Sequence, residues 1–231
     1  MTRPRTAPPP PPVLLVLARA PVPGRSKTRL IPGFGPDGAA RLAAAALADT
    51  LLAVAAAPAT RRVLVLDGDL AAGCPPPCGS WARLTAGMQV VPQSGVTHVE
   101  RIAAAFELVE GPALLIGTDT PQVTRPLLTL PGPVADGRAY LGPAADGGWW
   151  ALALPRAGRD ARALLDGVPM STSRTGAVQR GRLVTAGFAV HDLPLLRDVD
   201  EPGDAHEVAA AAPHTRFAAQ LRAELAVAAV R

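Results

Sequence analysis

Short apolar runs alternate with longer helical stretches along most of the chain. The runs "VLLVLAR" (13–19), "RVLVLDG" (62–68), "MQVVPQ" (88–93) and "ALLIGTD" (113–119) are too short for buried helices and are bounded by glycine, proline or polar residues, as buried strands are. Between them lie 37–57 and 99–109, each long enough for a helix. Such alternation predicts an α/β fold with a mostly parallel sheet and helices on both faces. In 35–58, Pro36, Asp37 and Gly38 mark a helix start and Pro58 its stop. Leu42, Ala46, Asp49 and Ala53 form no single clean stripe, which predicts burial over a wide face. After Asp119 the pattern loosens. "AYLGPAADGGWWALAL" (139–154) reads as two strands about a glycine turn, an antiparallel excursion, and "GAVQRGRLVTAGFAVHDLPL" (176–195) as helix, glycine stop and strand. From Asp204 onward the chain is helical and alanine-rich, with a break at Pro213.

The 231 residues suffice for one well-buried domain, expected to span 13–231 behind a disordered Pro-rich tail at 1–12. Apolar residues make up 48% but aromatic ones only 3%, so the core volume must come mainly from Leu, Val and Ile. The formal charge of +4 arises from scattered arginines, with neither a dense basic run nor interleaved aromatics; this argues against nucleic acid and for a small polyanion such as a nucleotide. Arg3 and Arg5 ahead of "VLLVLA" imitate a secretory leader, but the apolar stretch falls short of the usual ~7 to 15-residue core and prolines interrupt the approach. No membrane span is expected, because Asp49 interrupts the longest alanine-rich run, and a cytoplasmic protein is the resulting expectation. Cys74 and Cys78 in "GCPPPCG" cannot complete a zinc site alone and read as loop residues.

Candidate chemistry gathers at the predicted strand ends. After the first strand, Arg25, Lys27 and Arg29 stand on alternate residues, either as a solvated edge or as a phosphate site at the margin of the sheet. Neither G-x-x-x-x-G-K-[ST] nor G-x-G-x-x-G spacing is present, so a P-loop or dinucleotide fold is unsupported. Asp119 ends "LLIGTD", Asp146 sits in "GPAADGG", and Asp198 and Asp200 flank Val199, where an extended chain sends both carboxylates to one face. Asp119, Asp198 and Asp200 read either as turn and helix caps or as hard oxygen ligands holding Mg2+ or Mn2+ against a diphosphate. In "DGGWW", Gly147 and Gly148 let the backbone bend close to a ligand. Trp149 and Trp150, adjacent on an extended chain, must then point oppositely, one into the core and the other either toward an acceptor or over a hydrophobic surface patch. His191 reads as a strand residue, and His98, His206 and His214 show no metal-ligand spacing.

Six stretches, "ARAPVPGRSKTRL", "DGAARLAAAALADT", "LLIGTDTP", "LGPAADGGWWALAL", "PMSTS" and "LRDVDEPGD", occur in the order and setting of a bacterial glycosyltransferase-like family linked by name to arsenosugar biosynthesis. The chain resembles that family from Val13 to about Val208 and is distantly similar to 2-phospholactate guanylyltransferase, which shares a basic "KTRL" loop and a late "DVD". The resemblance implies a GT-A-like three-layer α/β/α sandwich with a Rossmann-like sheet. It also implies nucleotide contacts by Arg25, Lys27 and Arg29 and a metal on Asp119, Asp198 and Asp200; Ala18, Pro23, Gly24 and Thr118 are further nucleotide-side candidates, and Lys27, Asp119 and Asp146 are the candidate catalytic residues. Gly147, Gly148, Trp149, Ser171 and Thr172 are the corresponding substrate-side candidates. The chain departs from the family at Trp149 and Trp150, where a tyrosine is usual, at Met170, where a tryptophan is usual, and at Thr97 and His98, which replace Leu-Gly. Thr120 and Pro121 follow Asp119, so a full D-x-D is missing.

These features predict a metal-dependent transferase that joins a nucleotide-activated donor to a small-molecule acceptor. Sugar transfer from a nucleotide-sugar is the leading expectation, with nucleotidyl transfer from an NTP to a phosphorylated acceptor as the alternative. A non-catalytic nucleotide-binding protein is the third, since fold does not fix function.

Overall fold

A computed structural model describes residues 10–229; the expected tail at 1–12 lies outside this range for 1–9, and 10–12 have no regular secondary structure. The strands are β1 (Val13–Arg19), β2 (Arg62–Asp67), β3 (Gln89–Pro92), β4 (Ala113–Ile116), β5 (Arg138–Pro143), β6 (Trp149–Leu154) and β7 (Ala189–Asp192). The helices are α1 (Ile31–Ala56), α2 (Trp81–Leu84), α3 (His98–Glu107), α4 (Arg125–Leu128), α5 (Ala157–Leu165), α6 (Thr175–Thr185), α7 (Pro202–Ala211) and α8 (Arg216–Ala229).

The strands form one sheet in the order β3-β2-β1-β4-β6-β5-β7. Only β6 runs against its neighbours, pairing antiparallel with both β4 and β5. This is the antiparallel excursion expected from "DGGWW". Alternation along the strands supplies both cores. Leu14, Val16 and Leu64 pack on one face with Leu47, Leu51 and Val54 of α1. Leu15, Val63 and Leu115 pack on the other with Ile102 and Phe106 of α3, Leu165 of α5 and Leu183 of α6. The result is the expected three-layer α/β/α sandwich.

Helix α1 corrects two expectations. It begins earlier than Asp37, but Gly35 interrupts it at φ 69°, so the regular helix starts at Pro36, where the proline signal placed it. The segment Thr28–Ala56 is also long and apolar enough to cross a membrane, contrary to the expectation drawn from Asp49; here it is a core helix with most of its apolar stretch buried. Asp49 is itself buried, and its carboxylate accepts hydrogen bonds from Phe217 N at 2.9 Å and Arg216 N at 3.2 Å. It therefore caps α8 across the α1–α8 seam instead of interrupting a span. Residues 212–215 separate α7 from α8, and Pro213 among them makes the expected break.

The six co-directional strands bring the ends of β1, β2, β4, β5 and β7 to one edge, where the acidic and basic candidates meet.

Candidate active site

At that edge lies an open pocket of about 770 Å3, and most of the candidates line it: Ala18, Arg25, Lys27, Arg29, Thr118, Asp119, Asp146, Gly148, Trp149, Ser171, Thr172, Asp198 and Asp200. Residues as far apart in the chain as Lys27 and Val199, 172 positions, come together because β1, β4 and the turn after β5 end side by side.

Three hydrogen bonds fix the floor. Val199 N donates to Asp119 O at 2.8 Å, Ala145 N donates to Leu196 O at 2.8 Å, and Gln122 Nε2 donates to Arg197 O at 2.6 Å. They hold the "DVD" segment against the loops after β4 and β5. Val199 is fully buried while Asp198 and Asp200 stay partly open, as the alternation of an extended chain requires.

Lys27 stands at the centre. Its backbone is left-handed, φ 47° and ψ 48°, a conformation that costs a residue with a side chain on the order of 1 kcal/mol or more and persists only where the surroundings fix it. Its ammonium lies 2.5 Å from Asp119 Oδ1 and 4.0 Å from Asp200 Oδ1, and it donates to the Val199 carbonyl. With only 13% of the side chain exposed, this is an internal counter-ion and not a solvated edge. Arg29 pairs with Asp200 at 3.0 Å but is 65% exposed, so that bridge is worth less. Arg25 is exposed and, among the described residues, forms no ion pair.

The expected three-carboxylate metal site takes a different form. Among the described residues no group of three or more His, Cys, Asp or Glu side chains is arranged to hold a metal ion. Lys27 already neutralises Asp119, and Arg29 sits on Asp200. Asp198 is the exception, because its buried Oδ1 has no hydrogen-bond partner. Burial, followed by repulsion from Asp146, Asp119 and Asp200 with only Lys27 opposing, pushes its pKa up to about 7. An orphaned carboxylate oxygen among like charges fits a hard divalent cation. One or two carboxylates suffice for Mg2+ when phosphate oxygens and water complete its shell.

The tryptophans divide as expected. Trp150 is 3% exposed in the core, and its Nε1 donates to Pro194 O at 3.0 Å. Trp149 lines the pocket, and its Nε1 is buried without a partner. Ser171, in a left-handed conformation at φ 56°, joins the same wall, as does Thr175, whose hydroxyl donates to Pro169 O at 2.6 Å.

Three candidates do not line the pocket: Pro23, Gly24 and Gly147. Pro23 and Gly24 shape the exposed turn that leads to Lys27. Gly147, at φ 88°, serves packing, because a Cβ there would fall 2.2 Å from Ser173 O. Its own carbonyl accepts from Gly176 N at 2.8 Å, which seats the β5–β6 turn on the 171–176 loop. Several lining residues were not among the candidates read from the sequence, Arg19, Gln93, His98 and Arg101 with Glu201 and Asp204 among them. Arg19 and Arg101 share Asp67 Oδ2, at 3.0 and 3.3 Å, and Gln93 Nε2 donates to Ala18 O at 2.7 Å. The available signal was helical: His98 and Arg101, three apart, share a face of α3, started by the Thr97–Glu100 capping box.

A three-layer sandwich with a pocket of basic and acidic side chains at the edge of its parallel strands defines an α/β protein with its candidate crevice at the carboxyl ends of those strands. Residues 50–172 match a family described as an uncharacterized protein conserved in bacteria (DUF2064), and the chain belongs to that family. No curated protein matches it. Among solved structures, a protein from Desulfovibrio desulfuricans G20 provisionally named a nucleotide-diphospho-sugar transferase is 22% identical, with 93% of this chain and 95% of that one covered and a TM-score of 0.73. Rv0371c from Mycobacterium tuberculosis H37Rv is 22% identical over 86% of this chain and 97% of its own, with a TM-score of 0.50. The inositol-1-phosphate CTP transferase from T. maritima is 12% identical over 87% and 96%, also with a TM-score of 0.50. These likenesses establish the fold.

Proposed function

We propose that the protein is a cytoplasmic, Mg2+- or Mn2+-dependent transferase that moves a sugar from a nucleotide-sugar to a small-molecule acceptor, acting as one domain. The observation that carries this reading is the meeting, in one pocket, of a basic loop after β1 with Asp119, Asp146, Asp198 and Asp200. The similarity to the glycosyltransferase-like family linked by name to arsenosugar biosynthesis supports sugar transfer, as does the name given to the D. desulfuricans neighbour.

In this mechanism Arg25, Lys27 and Arg29, with Ala18 and Thr118 beside them, receive the donor's phosphates. Asp198, with Asp119 or Asp200, would hold the metal, which when bound offsets charge on the departing diphosphate. Asp146 takes the proton of the attacking acceptor hydroxyl. Its carboxylate is oriented for this by Gly148 N, which donates to Oδ1 at 2.7 Å.

Nucleotidyl transfer is the second reading. Lys27, placed against Asp119, favours it, since a lysine there would suit departing β- and γ-phosphates, and the distant similarity to 2-phospholactate guanylyltransferase agrees. Incubation with nucleoside-diphosphate sugars and with NTPs, each with and without EDTA, separates the two. Nucleoside diphosphate release lost on chelation is expected; pyrophosphate release supports the second reading, and neither product rejects both.

A further inference from the structure

We propose that the acceptor is an unphosphorylated, hydroxyl-bearing small molecule, an inference that rests on the transferase reading above. The pocket is electrically two-sided. Its cations, Arg19, Arg25, Lys27, Arg29 and Arg101, come from β1, the loop that follows it and α3. A second stretch of the wall is formed by Asp146, Gly148, Trp149 and the loop at 170–175, and among the described residues lining that stretch there is no lysine or arginine. Arg174, the one cation of that loop, does not line the pocket.

The most buried of the pocket's cations is already engaged. Lys27 is held by Asp119, Asp200 and the Val199 carbonyl. A phosphate monoester carries about −1.5 to −2 charges at neutral pH. Beside Asp146 it would meet like charge, with no lysine or arginine lining that stretch to answer it. Apart from Asp146, what the wall offers is neutral: the hydroxyls of Ser171, Thr172 and Ser173, and the indole of Trp149. A flat ring beside hydroxyl donors and acceptors is a surface for a polyol.

The chemistry agrees with the wall. The acceptor oxygen forms a bond to the anomeric carbon of the donor sugar, and the bond from that carbon to the diphosphate oxygen breaks. The electron pair leaves with the nucleoside diphosphate, and the hydroxyl proton passes to Asp146. No acceptor phosphate takes part.

The test works with a mixture in which the acceptor is still unidentified. A bacterial metabolite extract is divided, one half is treated with alkaline phosphatase, and the phosphatase is removed by ultrafiltration. The full chain is then supplied with Mg2+ and, in turn, a panel of nucleoside-diphosphate sugars and of NTPs, and nucleoside diphosphate and pyrophosphate are followed separately. Extract-dependent release of nucleoside diphosphate that persists after phosphatase treatment is the expected result. Release abolished by the treatment, as either product, overturns the proposal and leaves nucleotide-dependent transfer standing. No release with either half overturns the transferase reading, and the acceptor proposal with it.

Discussion

Replacing Asp198 with asparagine should stabilise the protein at neutral and alkaline pH and change it little in mild acid. The aspartate is partly buried, Oδ1 lacks a partner, and the surrounding carboxylates outnumber the one cation, Lys27, that opposes them. Its pKa accordingly rises from 3.8 to about 7. Below the unfolded value both states hold the proton and no penalty exists. Between the two values the unfolded chain ionises while the folded one does not, so stability falls as pH rises and the loss is complete above the folded value. At about 1.4 kcal/mol per pKa unit the ceiling is about 4 kcal/mol. Solvent reaching an incompletely enclosed carboxylate reduces this to about 1–3 kcal/mol. The amide has nearly the same shape and no charge to bury. Urea denaturation of both proteins from about pH 4.5 to 8.5 should therefore give curves that converge in acid and separate above neutrality, with the variant the more stable. A difference independent of pH, or a variant less stable at the alkaline end, would refute this account of the site.

Lys27→Ala is expected to weaken nucleotide binding by about 1.5–3 kcal/mol in a chain that still folds; calorimetry showing unchanged affinity would confine Lys27 to holding the loops together. Asp49→Ala removes the acceptor for Phe217 N and Arg216 N and should cost about 1–2 kcal/mol in denaturant midpoint, without altering nucleotide affinity. Trp150→Phe loses the bond to Pro194 O and should cost about 1 kcal/mol, whereas Trp149→Phe removes an unpartnered N–H and should not lower stability; equal losses in thermal melts would contradict the assignment of the two rings.

The architecture was legible because its signals are local. Four apolar runs became β1 to β4, and proline at 36, 58 and 213 marked real boundaries. Opposed faces for adjacent residues followed from strand geometry alone, which is why Trp149 and Trp150 separated as expected. The site was legible as a set of residue types and not as a set of pairings. Alternation put Asp198 and Asp200 on one side of Val199, yet nothing in the sequence shows that Lys27, 172 positions earlier, donates to the Val199 carbonyl. Asp49 misled for the same reason. A charge within an alanine run signals interruption, and its actual partners, at the start of α8, lie 167 and 168 positions away.

The pairings also explain why the pocket holds its charges in separate roles. If all four carboxylates were equally unpaired, mutual repulsion would oppose folding of the loops after β4, β5 and β7 together. Lys27 and Arg29 remove that opposition at Asp119 and Asp200, and the residual strain falls on Asp198, whose pKa reports it. An incoming divalent cation gains most where negative charge is least compensated, which is at Asp198. Phosphates gain most where cations are least engaged, which is at Arg25 on the outer side of the loop. The two preferences lie on different elements of one pocket, so a metal–nucleotide complex satisfies both at once, while either component alone leaves the other's partners unmatched. On the proposed metal-dependent reading, cooperative binding of metal and nucleotide is the expected outcome, and by linkage each then raises the affinity of the other by the same factor.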